Sequence, residues 1–135
     1  MKKLAIIFYF FSLTLFSQEI KLNVSNFENY IKEVYKDKAD QLIFSNPKQL
    51  KNKKEILDRI VIINNVENME EDYLDFETLY IVTTYNKDLS LSFPKRIYPD
   101  RFNPFLYKMN IYNDQPVYYY YHKTKQLIKI YPSKY

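Results

Sequence analysis

Not one of the 135 residues is glycine, and that absence sets the terms for every turn the chain can make. Glycine alone enters positive φ freely, so each such position is expected to fall to asparagine or aspartate, which tolerate the left-handed region best after it. The same absence removes whole chemistries. Phosphate-binding loops, dinucleotide fingerprints and the glycine-flanked nucleophile elbow all need a backbone without a Cβ at fixed points. Cysteine is missing too, which takes away thiolate metal sites, thiol nucleophiles, redox work and covalent staples. Stability has to come from packing.

The N-terminus reads as a secretory signal: Lys2 and Lys3, a mainly apolar run over 4–16, then Ser17 before Gln18 and Glu19. Thirteen residues make roughly 20 Å of helix against a hydrocarbon core of about 30 Å, too short for a comfortable span. With no cysteine to carry a lipid, the expected product is a free exported protein, periplasmic or extracellular, with no stable membrane insertion. It forms a single domain over 18–135. Loss of Lys2 and Lys3 lowers the formal charge from +4 to +2, which weakens any global argument for a polyanionic partner.

The pattern along the chain predicts an α+β fold, with one or two N-terminal amphipathic helices packed on one face of a five- or six-stranded antiparallel sheet. Ser25 and Glu28 have capping-box spacing, and Phe27, Tyr30, Ile31, Val34, Tyr35, Ala39, Leu42 and Ile43 follow at three- and four-residue steps. A helix over 26–44 is expected. Asn46 and Pro47 then open a more polar helix through Leu57, and the β-branched run 60–63 reads as a buried strand. Residues 64–77 hold six carboxylates and no base. They predict a loop with one helical turn after Asn68, packed near the basic end of the chain. Residues 78–85 and 89–93 predict a hairpin about a turn at Asn86, Lys87 and Asp88. Pro94, Pro99 and Pro104 keep the following connection out of any central strand. A meander is expected last, with strands at 105–111, 117–122 and 127–131.

Tyr118, Tyr119, Tyr120 and Tyr121 divide between two faces of such a strand, Tyr119 and Tyr121 with Val117, Tyr118 and Tyr120 with His122. If the second set faces solvent beside Tyr112, the sheet carries an aromatic shelf that can stack on sugar rings or a partner's side chains. Tyr112, Tyr118, Tyr120 and His122 are therefore the candidate ligand-binding residues. Plain cross-strand packing explains the same tyrosines at about 0.2–1 kcal/mol per pair. No catalytic residue is assigned. His122, the only histidine, lies beside Lys123 and Lys125, where cationic neighbours disfavour its protonated form. The acidic stretch lacks the alternating oxygen ligands and the glycine of a calcium loop, so no metal and no cofactor is expected.

Eight lysines and arginines stand against two aspartates over 95–135. Export argues against nucleic acid as their partner. The expected function is non-catalytic binding of a protein, small molecule or glycan, through the aromatic sheet face or the proline-rich connection 94–104. Two alternatives are a small hydrolase of cell-wall or polysaccharide material, joining a carboxylate of 67–77 to His122 or a tyrosine, and an inhibitor of a secreted enzyme.

Overall fold

The computed structural model describes residues 18–89 and 92–133. The expected signal peptide at 1–17 lies outside them, as does the centre of the expected strand at 89–93. Strands β1 (Glu19–Lys21), β2 (Ile60–Ile63), β3 (Leu74–Asp75), β4 (Val117–Tyr121) and β5 (Gln126–Ile130) form one sheet in the order β1-β2-β5-β4-β3. Helices α1 (Phe27–Tyr35) and α2 (Pro47–Asp58) complete the α+β plan.

The sheet is mixed and not wholly antiparallel, because β3 runs parallel to β4 while the other pairs are antiparallel. A parallel neighbour needs a long return connection, and here residues 76–116 supply it. Alternation sends one set of side chains to the helices, although Val61, Leu127 and Tyr120 on the opposite face are buried as well. Ile60, Ile62, Ile128, Ile130, Tyr119 and Tyr121 share one core with Phe27, Tyr30 and Ile31 of α1 and Ile56 and Leu57 of α2. The helical layer covers that face only.

The helix expected over 26–44 is broken. It leaves the α conformation at Lys36, passes through a 3₁₀ turn (Lys36–Lys38) and ends as a π-helical segment (Asp40–Phe44). The wider π turn still brings Ile43 into the core, at 2 % exposure. The capping box does not form either. Ser25 N and Oγ both donate to Asn23 Oδ1, at 3.0 and 2.7 Å, and Glu28 instead accepts from Lys32 Nζ at 2.8 Å. At α2 the local signal holds: Asn46 Oδ1 accepts from Gln49 N with Pro47 in the first turn.

Among the described residues positive φ falls on Lys36, Asn65 and Lys125, so lysine takes two positions expected to go to asparagine or aspartate. Lys125 lies in the β4–β5 turn, whose register is imposed by five paired positions from Val117↔Ile130 to Tyr121↔Gln126. Pairing overrides local preference there.

Residues 78–111 depart most from expectation. No hairpin forms among the described residues of 78–93, and no strand forms at 105–111. The two segments meet at a single bridge, Ile81↔Tyr107, flanked by hydrogen bonds from Val82 N to Leu106 O at 2.7 Å and from Lys108 N to Tyr80 O at 2.9 Å. Of the aromatic residues that suggested strands, Phe93 and Tyr107 pack into the core, whereas Tyr80 and Tyr85 are exposed. Phe76, fully buried, has the rings of Phe93, Phe102, Tyr107 and Tyr121 at centroid distances of 5.2, 6.0, 5.0 and 5.0 Å. The helical turn of the acidic stretch comes at its end, as a 3₁₀ turn (Phe76–Thr78), because burial of Phe76 pins it there. The stretch does pack against the basic end: Lys125 Nζ is 2.6 Å from Glu67 Oε2, and Lys123 Nζ is 3.3 Å from Glu77 Oε2.

Candidate functional site

The four candidate residues do not gather on one shelf. Tyr120 is 7 % exposed, and its hydroxyl donates to Val66 O at 2.6 Å, so the acidic loop covers it. Tyr73 from that loop stands edge-on to Tyr120 at 5.5 Å and to His122 at 5.8 Å. His122 is exposed beside them, with Nε2 3.3 Å from Asp75 Oδ1. Tyr118 is half-buried, with Lys129 Nζ 6.0 Å from its ring; the same ammonium lies 4.3 Å from the Tyr131 ring and 3.5 Å from Glu19 Oε2. Tyr112 is 73 % exposed and stands elsewhere, on the rim of a cleft of about 550 Å³ lined by Lys48, Lys51, Glu55, Arg59 and Asn113.

Arg59 is the functional-looking residue that the sequence pattern did not single out. It caps the end of α2 at 6 % exposure, and three acceptors hold its guanidinium: Asn113 Oδ1 at 3.2 Å, Tyr131 O at 2.9 Å and Ile111 O at 2.7 Å. Glu55 Oε1 lies 3.7 Å from Nε. Most of its donors are spent on the protein's own carbonyls, so Arg59 joins helix, strand β5 and loop and has little left for a ligand. The signal was its place: an arginine between the buried Leu57 and Ile60, in a chain with only two others.

The other two arginines lie in the proline-rich connection, and its backbone is fixed at many points. Gln126, fully buried, accepts from Ile97 N at 2.8 Å and donates to Ile97 O at 2.7 Å, acting as a detached piece of strand. Asn103 donates to Tyr30 O at 3.0 Å and Glu33 Oε1 at 2.8 Å while its Oδ1 accepts from Phe105 N at 3.1 Å. The Tyr121 hydroxyl donates to Pro94 O, Asn26 Nδ2 to Asp100 O at 2.6 Å, and Asn23 N to Pro99 O at 3.3 Å. Buried polar groups must be paired. In this chain side-chain amides pair what a ladder would otherwise pair.

The anchored connection encloses a cleft of about 330 Å³ whose lining includes Lys95, Arg96, Tyr98, Arg101 and Tyr107, with Ile97 and Phe102 buried beneath. The Arg101 guanidinium lies 4.4 Å from the Tyr98 ring centre. Burial pushes the Tyr107 phenol up to about 12, and the charges of Tyr121 and Glu33 add in the same direction. It stays a neutral O–H donor throughout the physiological range. Chemically the cleft offers three cations, a neutral donor and aromatic rings on a hydrogen-bonded frame. Among the described residues no three histidine, aspartate or glutamate side chains cluster as a metal would need, and no helix is long and apolar enough to cross a membrane.

Compared with known proteins, the chain matches no family model, no curated protein and no solved structure.

Proposed function

We propose that this chain is a non-catalytic binding domain that works outside the cytoplasm after removal of residues 1–17, and that it meets its ligand through the connection 94–107. The observation that carries this is the contrast within one segment: the backbone is held by Gln126, Asn103, Tyr121 and Asn26, while Lys95, Arg96 and Arg101 have no carboxylate partner among the described residues. Long loops with little secondary structure of their own, here a 3₁₀ turn (Pro104–Leu106) and one bridge at Tyr107, are usually functional when they are ordered. A loop already fixed has little conformational entropy left to lose on binding. The aromatic sheet face supports the reading less, because Tyr120 is covered and Tyr112 is in another cleft.

Amide chemical-shift mapping of the purified protein against glycan, peptide and small-molecule collections tests the site. Perturbations concentrated in 94–107 are expected; a ligand that instead perturbs 117–122 moves the site to the sheet. For the compartment, mass spectrometry of the native product should find a chain beginning near Gln18, and Met1 retained in a cytosolic extract overturns export.

A small hydrolase is the second reading, favoured by one distance: Nε2 of His122 is 3.3 Å from Asp75 Oδ1, a carboxylate of the acidic stretch. A base held by a carboxylate is the arrangement of acid–base catalysis. Turnover of any member of a hydrolase panel, lost in both His122→Ala and Asp75→Asn, would establish it over the binding reading.

A further inference from the structure

We infer, resting on the binding reading above, that the ligand of the 94–107 cleft is a small molecule carrying at least two oxyanion groups. Lys95, Arg96 and Arg101 all line the cavity, and among the described residues none of the three has a carboxylate within ion-pair distance. Elsewhere Lys21, Lys32, Arg59, Lys123, Lys125 and Lys129 each do, whereas lysines such as Lys36, Lys38 and Lys108 do not, so the mark of the cleft is the gathering of three such cations in one lining. The one carboxylate in the lining, Glu33, already accepts from Asn103 Nδ2 at 2.8 Å. Asp100 lies in the same connection but outside the lining, where its backbone carbonyl accepts from Asn26 Nδ2 at 2.6 Å and from the Tyr30 hydroxyl at 3.3 Å. Three cations thus face one engaged carboxylate, and a monoanion would leave the excess uncompensated.

Residue type and orientation sharpen the class. Arginine presents a planar fork that matches carboxylate, phosphate and sulfate oxygens two at a time, which a lysine ammonium cannot do. The Arg101 guanidinium carbon lies 4.4 Å from the Tyr98 ring centre, a cation–π contact that holds the head group beside the cleft before any ligand arrives. The Tyr107 hydroxyl, which has no hydrogen-bond partner among the described residues, adds a neutral donor to the same lining. A volume of about 330 Å³ stands at the lower end of small-molecule sites, which run from about 300 to 1,000 Å³, so the occupant is a small polyanion and not a polymer laid across a surface. Phosphate esters and polycarboxylates share this chemistry.

Calorimetry and amide mapping at low ionic strength, with pyrophosphate, citrate and the neutral trisaccharide maltotriose as probes, separate the cases. Saturable binding of a polyanion is expected, with perturbations within 95–107 and none from maltotriose. Arg96→Gln combined with Arg101→Gln should weaken it by about tenfold or more, while Lys48→Gln with Lys51→Gln, at the other cleft, leaves it unchanged. Pyrophosphate bound more tightly than citrate assigns a phosphate source, and the reverse order a polycarboxylate. Arg101→Lys, which keeps the charge but loses the fork, should weaken binding part of the way and confirms that the site is folded. If neither polyanion perturbs 95–107, or the arginine pair is replaced without effect, the polyanion inference is overturned. A neutral or peptidic ligand that maps to 94–107 in the wider collections then keeps the binding reading alive, whereas no ligand mapping there ends both.

Discussion

Gln126 and Ile97 are joined by two hydrogen bonds between one side-chain amide and one backbone residue, at 2.8 and 2.7 Å, with Gln126 fully buried. The pair replaces a rung of sheet where the proline-rich connection passes the end of β5. Gln126→Ala leaves both polar groups of Ile97 without a partner in a dry site, each costing about 1–3 kcal/mol. A loss of about 3 kcal/mol in urea unfolding is expected, with faster amide exchange across 95–103. A loss under about 1 kcal/mol would mean that the connection does not need this anchor.

Arg59→Leu removes the donors of Ile111 O, Tyr131 O and Asn113 Oδ1 together. The expected cost is about 3 kcal/mol in denaturant unfolding, because acceptors at a buried joint lose their partner and water reaches few of them. Arg59→Lys should recover only part, as one ammonium cannot span the same three acceptors. Full recovery by lysine would show that charge alone matters there.

The raised Tyr107 phenol makes stability fall in alkali. Its folded value of about 12 lies above the ordinary value of 10, so the unfolded chain loses this proton first and the folded state is penalised as pH climbs. The contribution is complete below pH 10 and is lost between 10 and 12. With the ring partly in contact with solvent, the effect is at most about 2 kcal/mol. Tyr107→Phe should flatten this part of the profile, measured as urea midpoints across the alkaline range. An unchanged slope assigns the alkaline loss to other groups.

Lys36 has φ 50° and ψ −126°, at the break between α1 and the 3₁₀ turn. A residue with a Cβ is strained in that region by about 1–3 kcal/mol. Lys36→Gly relieves the strain but gives the unfolded chain more freedom, leaving an expected net gain of about 1 kcal/mol by thermal unfolding. Destabilisation would place the lysine's own contacts above backbone strain.

What the sequence made legible was local. Asn46 and Pro47 announce α2 because capping involves neighbours within one turn, and the aromatic and β-branched runs 117–122 and 127–131 about a polar turn announce β4 and β5 because a hairpin pairs residues close in the chain. Charge was legible as well, since the carboxylates at Glu67 and Glu77 find Lys125 and Lys123. The break at Lys36 carries no local mark; a lysine there reads as a helix interior. Residues 78–111 misled because an aromatic at alternate positions looks the same whether it lines a strand or fills a hole, and Phe93 and Tyr107 fill a hole around Phe76. The parallel β3 depends on a return of some forty residues that no window sees. The 94–107 cleft was visible only as prolines in an extended connection. Its stiffness depends on Gln126 and Asn103, polar residues whose burial is decided by which distant backbone groups need a partner.

Among the described residues the sheet ends on one side at β1, three residues long with Glu19 charged and exposed, and on the other at β3, two residues long. A foreign strand arriving at either margin finds few open amides and carbonyls to zip onto, and meets charge where it would need a flat apolar ribbon. Concentrated solutions of the protein should therefore stay dispersed, without creeping growth into fibrils by stacking of one copy's margin on the next.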